Sequence, residues 1–281
     1  MEYYIVTNIN LSEARFSIRL NNYCNFKCIY CCNDIPYLKD NNIDLKYDII
    51  YLLIKNINKY MKNINISFSL HGGEPLLNPE FNSILNLVNT TNNVIKILIL
   101  TNNSTNIVNK LDIKDLNLNI IKFVITYHDG QKYNDNIFEN NIKYFIENNI
   151  RYEINLPINL KLGEEHTTKL YNIRDYYINK YNSNAYISYL HPTAHYKIDN
   201  YDYSLTNEVY KNKTKEKYAN RNFNIFADGK FNYSCPLIRK DEDYNYIELF
   251  CEFKKHILNN FNNITLCTDD KCACRRCFDI N

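Results

Sequence analysis

Apolar and polar residues alternate through ARFSIRL (14–20), which predicts a strand with one buried face. The period then changes: residues 43–62 (IDLKYDIIYLLIKNINKYMK) place their apolar side chains at helical spacing. Strand-like runs follow at 64–70 (INISFSL), 94–100 (VIKILIL), 120–126 (IIKFVIT), 152–158 (YEINLPI) and 185–190 (AYISYL). Helical patterns separate several of them. One opens at Asn78-Pro79 and runs to about Asn89, with proline near its first turn, and others cover 134–148 and 167–180. This βα alternation, repeated about six times, predicts a parallel sheet covered by helices, either open and doubly wound or a complete or partial barrel. From about residue 220 the pattern differs. FNIFADGKFNYSC reads as a β-hairpin turning at Asp228-Gly229, followed by a helix over 245–259. The expected organisation is a core over residues 1–200 and a small module over 201–281.

In either architecture ligands gather at the C-terminal ends of the strands. CNFKCIYC (24–31), HGGEP (71–75), TNNS (101–104), TYHDG (126–130) and HPTAH (191–195) all fall there. Ordinary loops would explain each stretch alone, but not their shared edge. A hydrophobic content of 45% supports a packed core and argues against global disorder. The net charge of +2 excludes a general attraction to nucleic acid or anionic membranes. No apolar run approaches the roughly 18 residues of a membrane span, and MEYYIVTNINLSEARF is a poor signal peptide, so a cytoplasmic location is expected. There, ten cysteines point to metal or redox chemistry rather than disulfides. They fall at 24–32 and 235–277 with none between, as two metal sites would place them.

Cys24, Cys28 and Cys31 stand at C-x3-C-x2-C, directly after the first strand. Three thiolates on one loop can converge on a centre and leave a position open, whereas iron–sulfur clusters are normally held by four. Cys32 diverges from its neighbour Cys31 and reads as a small buried thiol. Together with Tyr30 before the last cysteine, this loop resembles the signature of radical S-adenosylmethionine (SAM) enzymes. The resemblance implies a [4Fe–4S] cluster whose unique iron is chelated by the amino and carboxylate groups of SAM. One electron then cleaves SAM to methionine and a 5′-deoxyadenosyl radical. A zinc loop could mimic the cysteine spacing alone. LHGGEPLLNPEF (70–81) narrows the choice, because it is similar to the family's GGE motif, which binds the SAM amino group. The chain has five glycines, and Gly72 and Gly73 stand together at a strand end, where they would let backbone approach a ligand closely. Glu74 would offer its carboxylate to an ammonium.

The resemblance extends along residues 14–190 and implies an α/β fold, a partial (β/α)6 TIM-like barrel. ILTNNST is similar to the family's TNG stretch, with Asn103 where glycine is usual, and VITYHDG resembles its SxDG stretch, departing at Tyr127-His128-Asp129. Tyr30, Gly72, Gly73, Glu74, Asn102 and Thr126 are the cofactor-binding positions it implies. The arginine that often meets the SAM carboxylate is missing from QKYNDNIF (131–138). Tyr127, His128 and Asp129 are placed to line a substrate pocket. His191 reads either as a substrate contact or as a loop histidine without a role, and His71 as structural. Pro192 breaks any helical support for His191 and His195 as a metal pair.

Cys267, Cys272, Cys274 and Cys277 form C-x4-C-x-C-x2-C, with Cys235 on the hairpin's second arm and Cys251 alone on the intervening helix. This arrangement resembles the SPASM and twitch extensions of radical SAM enzymes. It implies one auxiliary [4Fe–4S] cluster on four of Cys235, Cys267, Cys272, Cys274 and Cys277, with Cys251 buried. A structural zinc site is the rival. The resemblance further implies a flavodoxin- or ferredoxin-type reductant and hydrogen abstraction from a ribosomally made peptide, leading to a crosslink, epimerisation or oxidation. A small-molecule substrate (sugar, amino acid or nucleoside) is the alternative. An N-terminal leader-recognition domain is not expected, since strand one begins by about residue 14. A non-catalytic iron–sulfur or zinc electron-transfer protein would have no use for the GGE motif.

Overall fold

The computed structural model describes residues 13–28, 30–31, 42–158, 162–189, 222–229 and 231–232. Their strands are β1 (Glu13–Arg19), β2 (Asn65–His71), β3 (Val94–Thr101), β4 (Ile121–Thr126), β5 (Arg151–Ile158), β6 (Ala185–Tyr189), β7 (Asn222–Ile225) and β8 (Phe231–Asn232). Four α-helices accompany them: α1 (Tyr47–Tyr60), α2 (Phe81–Asn89), α3 (Asp135–Glu147) and α4 (Gly163–Tyr181). All eight strands belong to one sheet, in the order β6-β5-β4-β3-β2-β1-β7-β8. Pairing from β6 across to β7 is parallel, and β8 returns antiparallel on β7.

From β1 to β6 the order never reverses. A doubly wound sheet reverses at a switch point, whereas a barrel-type sheet adds each strand on the same side. The fold is therefore an open, partial barrel of α/β type. The hairpin at Asp228-Gly229 is present, with Gly229 at φ 77°, a conformation that favours glycine. Its first arm is β7, hydrogen-bonded to β1 as part of the main sheet.

One face of each strand carries the core. Phe16 and Ile18, Phe68 and Leu70, Ile97 and Ile99, Phe123 and Ile125, and Ile154 and Leu156 are buried at alternate positions. They meet helix stripes such as Ile50, Leu53, Ile54 and Ile57 of α1, and Phe81, Ile84, Leu85 and Val88 of α2. Each such side chain contributes about 1.5–3 kcal/mol on burial, so the stripes hold the layers together. Phe16 and Phe68 lie with ring centroids 5.6 Å apart, which locks β1 onto β2. The opposite strand face is more polar, although Leu98 of β3 and Val124 of β4 are buried on it. It presents Arg15, Ser17 and Arg19 on β1, Ser67, Ser69 and His71 on β2, and Glu153 on β5, which pairs with Lys122 of β4 at 2.5 Å.

The regular alternation read from the sequence breaks once among the described residues. No α-helix joins β3 to β4; residues 102–117 run as an irregular segment into a short 3-10 turn, Leu118–Ile120. The physical reason is composition. The stretch is rich in Asn, Asp, Ser and Thr, whose side chains compete with helical hydrogen bonding. Asparagines on the flanking helices meet its backbone instead. Asn141 accepts from Ile107 N at 3.0 Å and donates to Thr105 O at 2.8 Å, and Asn82 donates to Lys110 O at 2.6 Å. Asn103 has φ 57°, a left-handed conformation that asparagine tolerates, which accounts for its standing where glycine is usual. Among the described residues no helix is long and apolar enough to cross a membrane.

Candidate functional site

The β1–β2 ladder does not stop where the strands end. Leu20 N donates to His71 O at 2.7 Å, Gly73 N to Asn21 O at 3.2 Å, and Glu74 N to Tyr23 O at 3.0 Å. The side chain of Asn21 reinforces this contact, accepting from Gly73 N at 3.0 Å and donating to Glu74 O at 2.7 Å. The start of the cysteine loop and the GGE turn are thus zipped together backbone to backbone. That proximity demands the glycines. A Cβ on Gly72 would sit 2.4 Å from Asn21 Oδ1, and one on Gly73 would sit 1.8 Å from Tyr23 O. The sequence reading assigned the glycine pair to a ligand's approach; in the structure its close neighbour is the chain itself.

Further bonds pin the loop from below. Tyr23 donates its hydroxyl to Asp44 at 2.8 Å, and Asn78 donates to Leu20 O at 2.7 Å. On the other side Phe26 packs edge-on against Tyr133 at 5.0 Å and against His128 at 6.0 Å. Tyr30 stacks on His128, with its hydroxyl 3.1 Å from Nδ1. The cysteine loop is therefore seated between the ends of β2 and β4.

Cys24, Cys28 and Cys31 are brought together as reduced thiols, without a disulfide among them. Burial pushes the Cys24 thiol up to about 11, with Glu74 and Cys31 adding to it. Burial, then the charges of Cys31 and Cys24, pushes Cys28 up to about 12. Ionising Cys24 and Cys28 in this setting costs energy, and a cationic centre beside them would reverse that cost. Among the described residues no three His, Cys, Asp or Glu side chains are placed to hold one metal ion. Thiolates around a cluster stand farther apart than those around a single ion, because iron and sulfide fill the space between. An all-sulfur donor set of three that leaves a position open fits a [4Fe–4S] cluster better than a lone zinc.

Glu74 is fully buried, and both its oxygens are already met. Oε1 accepts from Thr101 Oγ1 at 2.8 Å and from Leu76 N at 3.1 Å, while Oε2 accepts from Asn102 N at 2.8 Å. These bonds tie the end of β2 to the end of β3. Burial raises its pKa from 4.5 to about 7, against the pull of those hydrogen bonds and of Lys110. Between these values the folded chain keeps a proton that the unfolded chain has lost. The stability linked to Glu74 is thus fully present below about 4.5 and is lost as pH rises through about 7. Glu74→Gln is expected to flatten that slope, read as the urea midpoint of the apo protein between pH 4 and 8. An unchanged slope would show that another group causes it.

The remaining candidates divide. Asn102 sits beside the cysteines, with Nδ2 3.6 Å from Cys24 Sγ. Thr126 O accepts from Tyr133 at 3.2 Å, and Tyr127 stacks on Tyr133 at 4.9 Å. Tyr127 faces a cleft of about 820 Å³ between α3 and α4, lined also by Asp135, Glu139, Glu164 and Lys169. This cleft reaches none of the three cysteines. Burial holds His128 down to about 4, so its ring is neutral at pH 7. Asp129 bonds His166 at 3.1 Å and Lys169 at 2.7 Å. Burial pushes the Asp129 carboxyl up, but these partners outweigh it and hold it below the usual range. His71 meets Ser17 at 2.8 Å, and burial and then Arg19 hold it down to about 3. Cys32, Cys235, Cys251, Cys267, Cys272, Cys274, Cys277, His191 and His195 lie outside the described residues.

Sequence reading missed Asn21, Ser104 and His166. Only Asn21 carried a signal, as part of a polar pair between a buried strand and a metal-type loop; His166 gains meaning from the distant Asp129, and Ser104 from Asn25 together with its neighbour Asn102.

A non-reversing parallel βα sheet, with a three-thiol loop after its first strand and a Gly-Gly-Glu turn after its second, defines a barrel-type class built around a metal centre. The chain belongs to the Radical SAM superfamily, whose sequence model matches residues 18–166, more than half its length. Members of that superfamily are enzymes that bind a [4Fe–4S] cluster and SAM. Among solved structures, hexahistidine-tagged anSMEcpe with bound AdoMet is similar at 15% identity and a TM-score of 0.59, over 89% of this chain and 80% of that one. Native anSMEcpe with bound AdoMet is similar at 16% identity and a TM-score of 0.57, over 84% and 80%. Streptococcus suis SuiB is similar at 15% identity and a TM-score of 0.50, over 89% and 66%. At these identities the likeness is one of fold. No curated protein sequence matches the chain.

Proposed function

We propose that Cys24, Cys28 and Cys31 hold the [4Fe–4S] cluster of a radical SAM enzyme that modifies a ribosomally made peptide. The observation that carries this reading is the junction described above: three thiols at the C-terminal edge of β1, zipped to the Gly72-Gly73-Glu74 turn of β2. When bound, the cluster and SAM would supply, with one electron from a flavodoxin- or ferredoxin-type reductant, the cleavage of SAM to methionine and a 5′-deoxyadenosyl radical able to take hydrogen from an unactivated C–H bond. The protein's part is positional. The backbone of residues 72–74 borders the loop and is the surface on which the SAM amino group would lie. Tyr30 and His128, stacked over the loop's far side, wall it toward β4.

The likeness of the C-terminal cysteines to SPASM and twitch extensions supports both an auxiliary [4Fe–4S] cluster and the peptide class of substrate. Anaerobic reconstitution followed by dithionite and SAM tests the chemistry, and 5′-deoxyadenosine is the expected product. Its absence from fully reconstituted protein would sink the enzyme reading. Turnover of a small molecule, rather than of a ribosomally made peptide, would replace the substrate class and leave the chemistry standing.

A further inference from the structure

We infer that Asn102 sets the reduction potential of the cluster held by Cys24, Cys28 and Cys31, by donating an amide hydrogen bond to the Cys24 sulfur. The inference rests on the proposed cluster and assigns Asn102 a role toward the cluster, where the family resemblance had implied contact with the bound SAM. Asn102 Nδ2 lies 3.6 Å from Cys24 Sγ, a normal N–H···S separation.

The orientation of that amide follows from its neighbours. Ser104 N donates to Asn102 Oδ1 at 3.0 Å, and a peptide N–H can only donate. The atom facing Ser104 is therefore the oxygen, which leaves the NH2 group turned to Cys24. That group reaches two acceptors, Asn25 Oδ1 at 3.0 Å and Cys24 Sγ at 3.6 Å. Asn25 is held in turn by Ser104 Oγ at 2.6 Å.

The backbone of Asn102 is anchored as firmly. Its N–H meets Glu74 Oε2 at 2.8 Å, and Glu74 Oε1 meets Thr101 Oγ1 at 2.8 Å. Glu74 is thus a positioning residue, which reaches the cysteine loop through Asn102. Asn102 and Glu74 are both buried, so water does not compete for these bonds.

The consequence is electrostatic. Reduction adds one electron, and part of the added charge falls on the thiolate sulfurs. A donor pointed at one of them stabilises the reduced state more than the oxidised state and raises the potential. Without Asn102, a given reductant would fill a smaller fraction of the clusters.

The test is an EPR-monitored redox titration of reconstituted wild type, Asn102→Leu and Asn102→Asp, following the signal that changes when SAM is added, with iron and sulfide counted in each. Leucine removes the donor at similar size, and aspartate puts an acceptor in its place. The midpoint is expected to fall in Asn102→Leu and further in Asn102→Asp at unchanged iron content. A merely structural role would not produce that order. Equal midpoints with equal iron would overturn the inference while leaving the cluster reading intact. A wild type that shows no SAM-responsive signal would overturn both. If neither variant holds iron, reduced wild type grown with side-chain [15N]asparagine decides the matter. Hyperfine coupling from one asparagine nitrogen to the cluster is expected, and its absence rejects the bond.

Discussion

Gly73→Ala is expected to abolish cluster assembly and to destabilise the fold by about 3 kcal/mol or more, the upper range for forcing atoms into packed space. The added Cβ would lie 1.8 Å from Tyr23 O, 2.2 Å from Tyr23 C and 2.9 Å from Cys24 N. All three are backbone atoms and none can swing aside. Relief requires the cysteine loop to lift off the β2 turn, breaking Gly73 N to Asn21 O and Glu74 N to Tyr23 O. Gly130 is the control. It has φ 80° and nothing within 4 Å of its would-be Cβ, so Gly130→Ala pays only the left-handed penalty of about 1–2 kcal/mol. Urea midpoints and iron content of the two variants check the contrast. A Gly73→Ala protein that keeps its iron and midpoint would mean that the two backbones do not run as close as described.

Cys28→Ala is expected to leave the fold intact and to lower 5′-deoxyadenosine formation by more than about 100-fold. Even outer partners of metal ligands cost about 10–100-fold when lost, and a ligand costs more. Cys28 is the most buried of the three thiols, so its loss removes the ligand best shielded from water. Iron counting separates the two proposed sites. With Cys24, Cys28 and Cys31 all changed to alanine, about four iron atoms should remain on the C-terminal cysteines. Zinc in their place would overturn the auxiliary-cluster proposal. Cys32→Ala is expected to retain both iron and activity; loss of either would make Cys32 a ligand.

Much of the architecture was legible because it is locally encoded. ARFSIRL and INISFSL alternate with period two, and α1 and α2 carry stripes at helical spacing, so the element types follow from patterns a few residues long. The missing helix between β3 and β4 was legible only in part. Its asparagines and threonines weaken a helix, but they do not reveal that Asn82 and Asn141 wait on other elements to complete its hydrogen bonds.

The cysteine triplet and the GGE turn were likewise visible, since spacing on one loop and glycines at one strand end are local facts. Their mutual contact was not. Asn21 and Gly73 meet because β1 and β2 pair in parallel with Phe16 opposite Phe68 and Arg19 opposite His71. That register is chosen by burying one face of both strands, and a slip of one residue would turn each core side chain outward. The amino-acid order alone thus specified which chemical groups stand at the strand ends. Long-range burial settled which of them touch: Gly73 with Tyr23, Glu74 with Thr101 and Asn102, and Asn102 with Cys24.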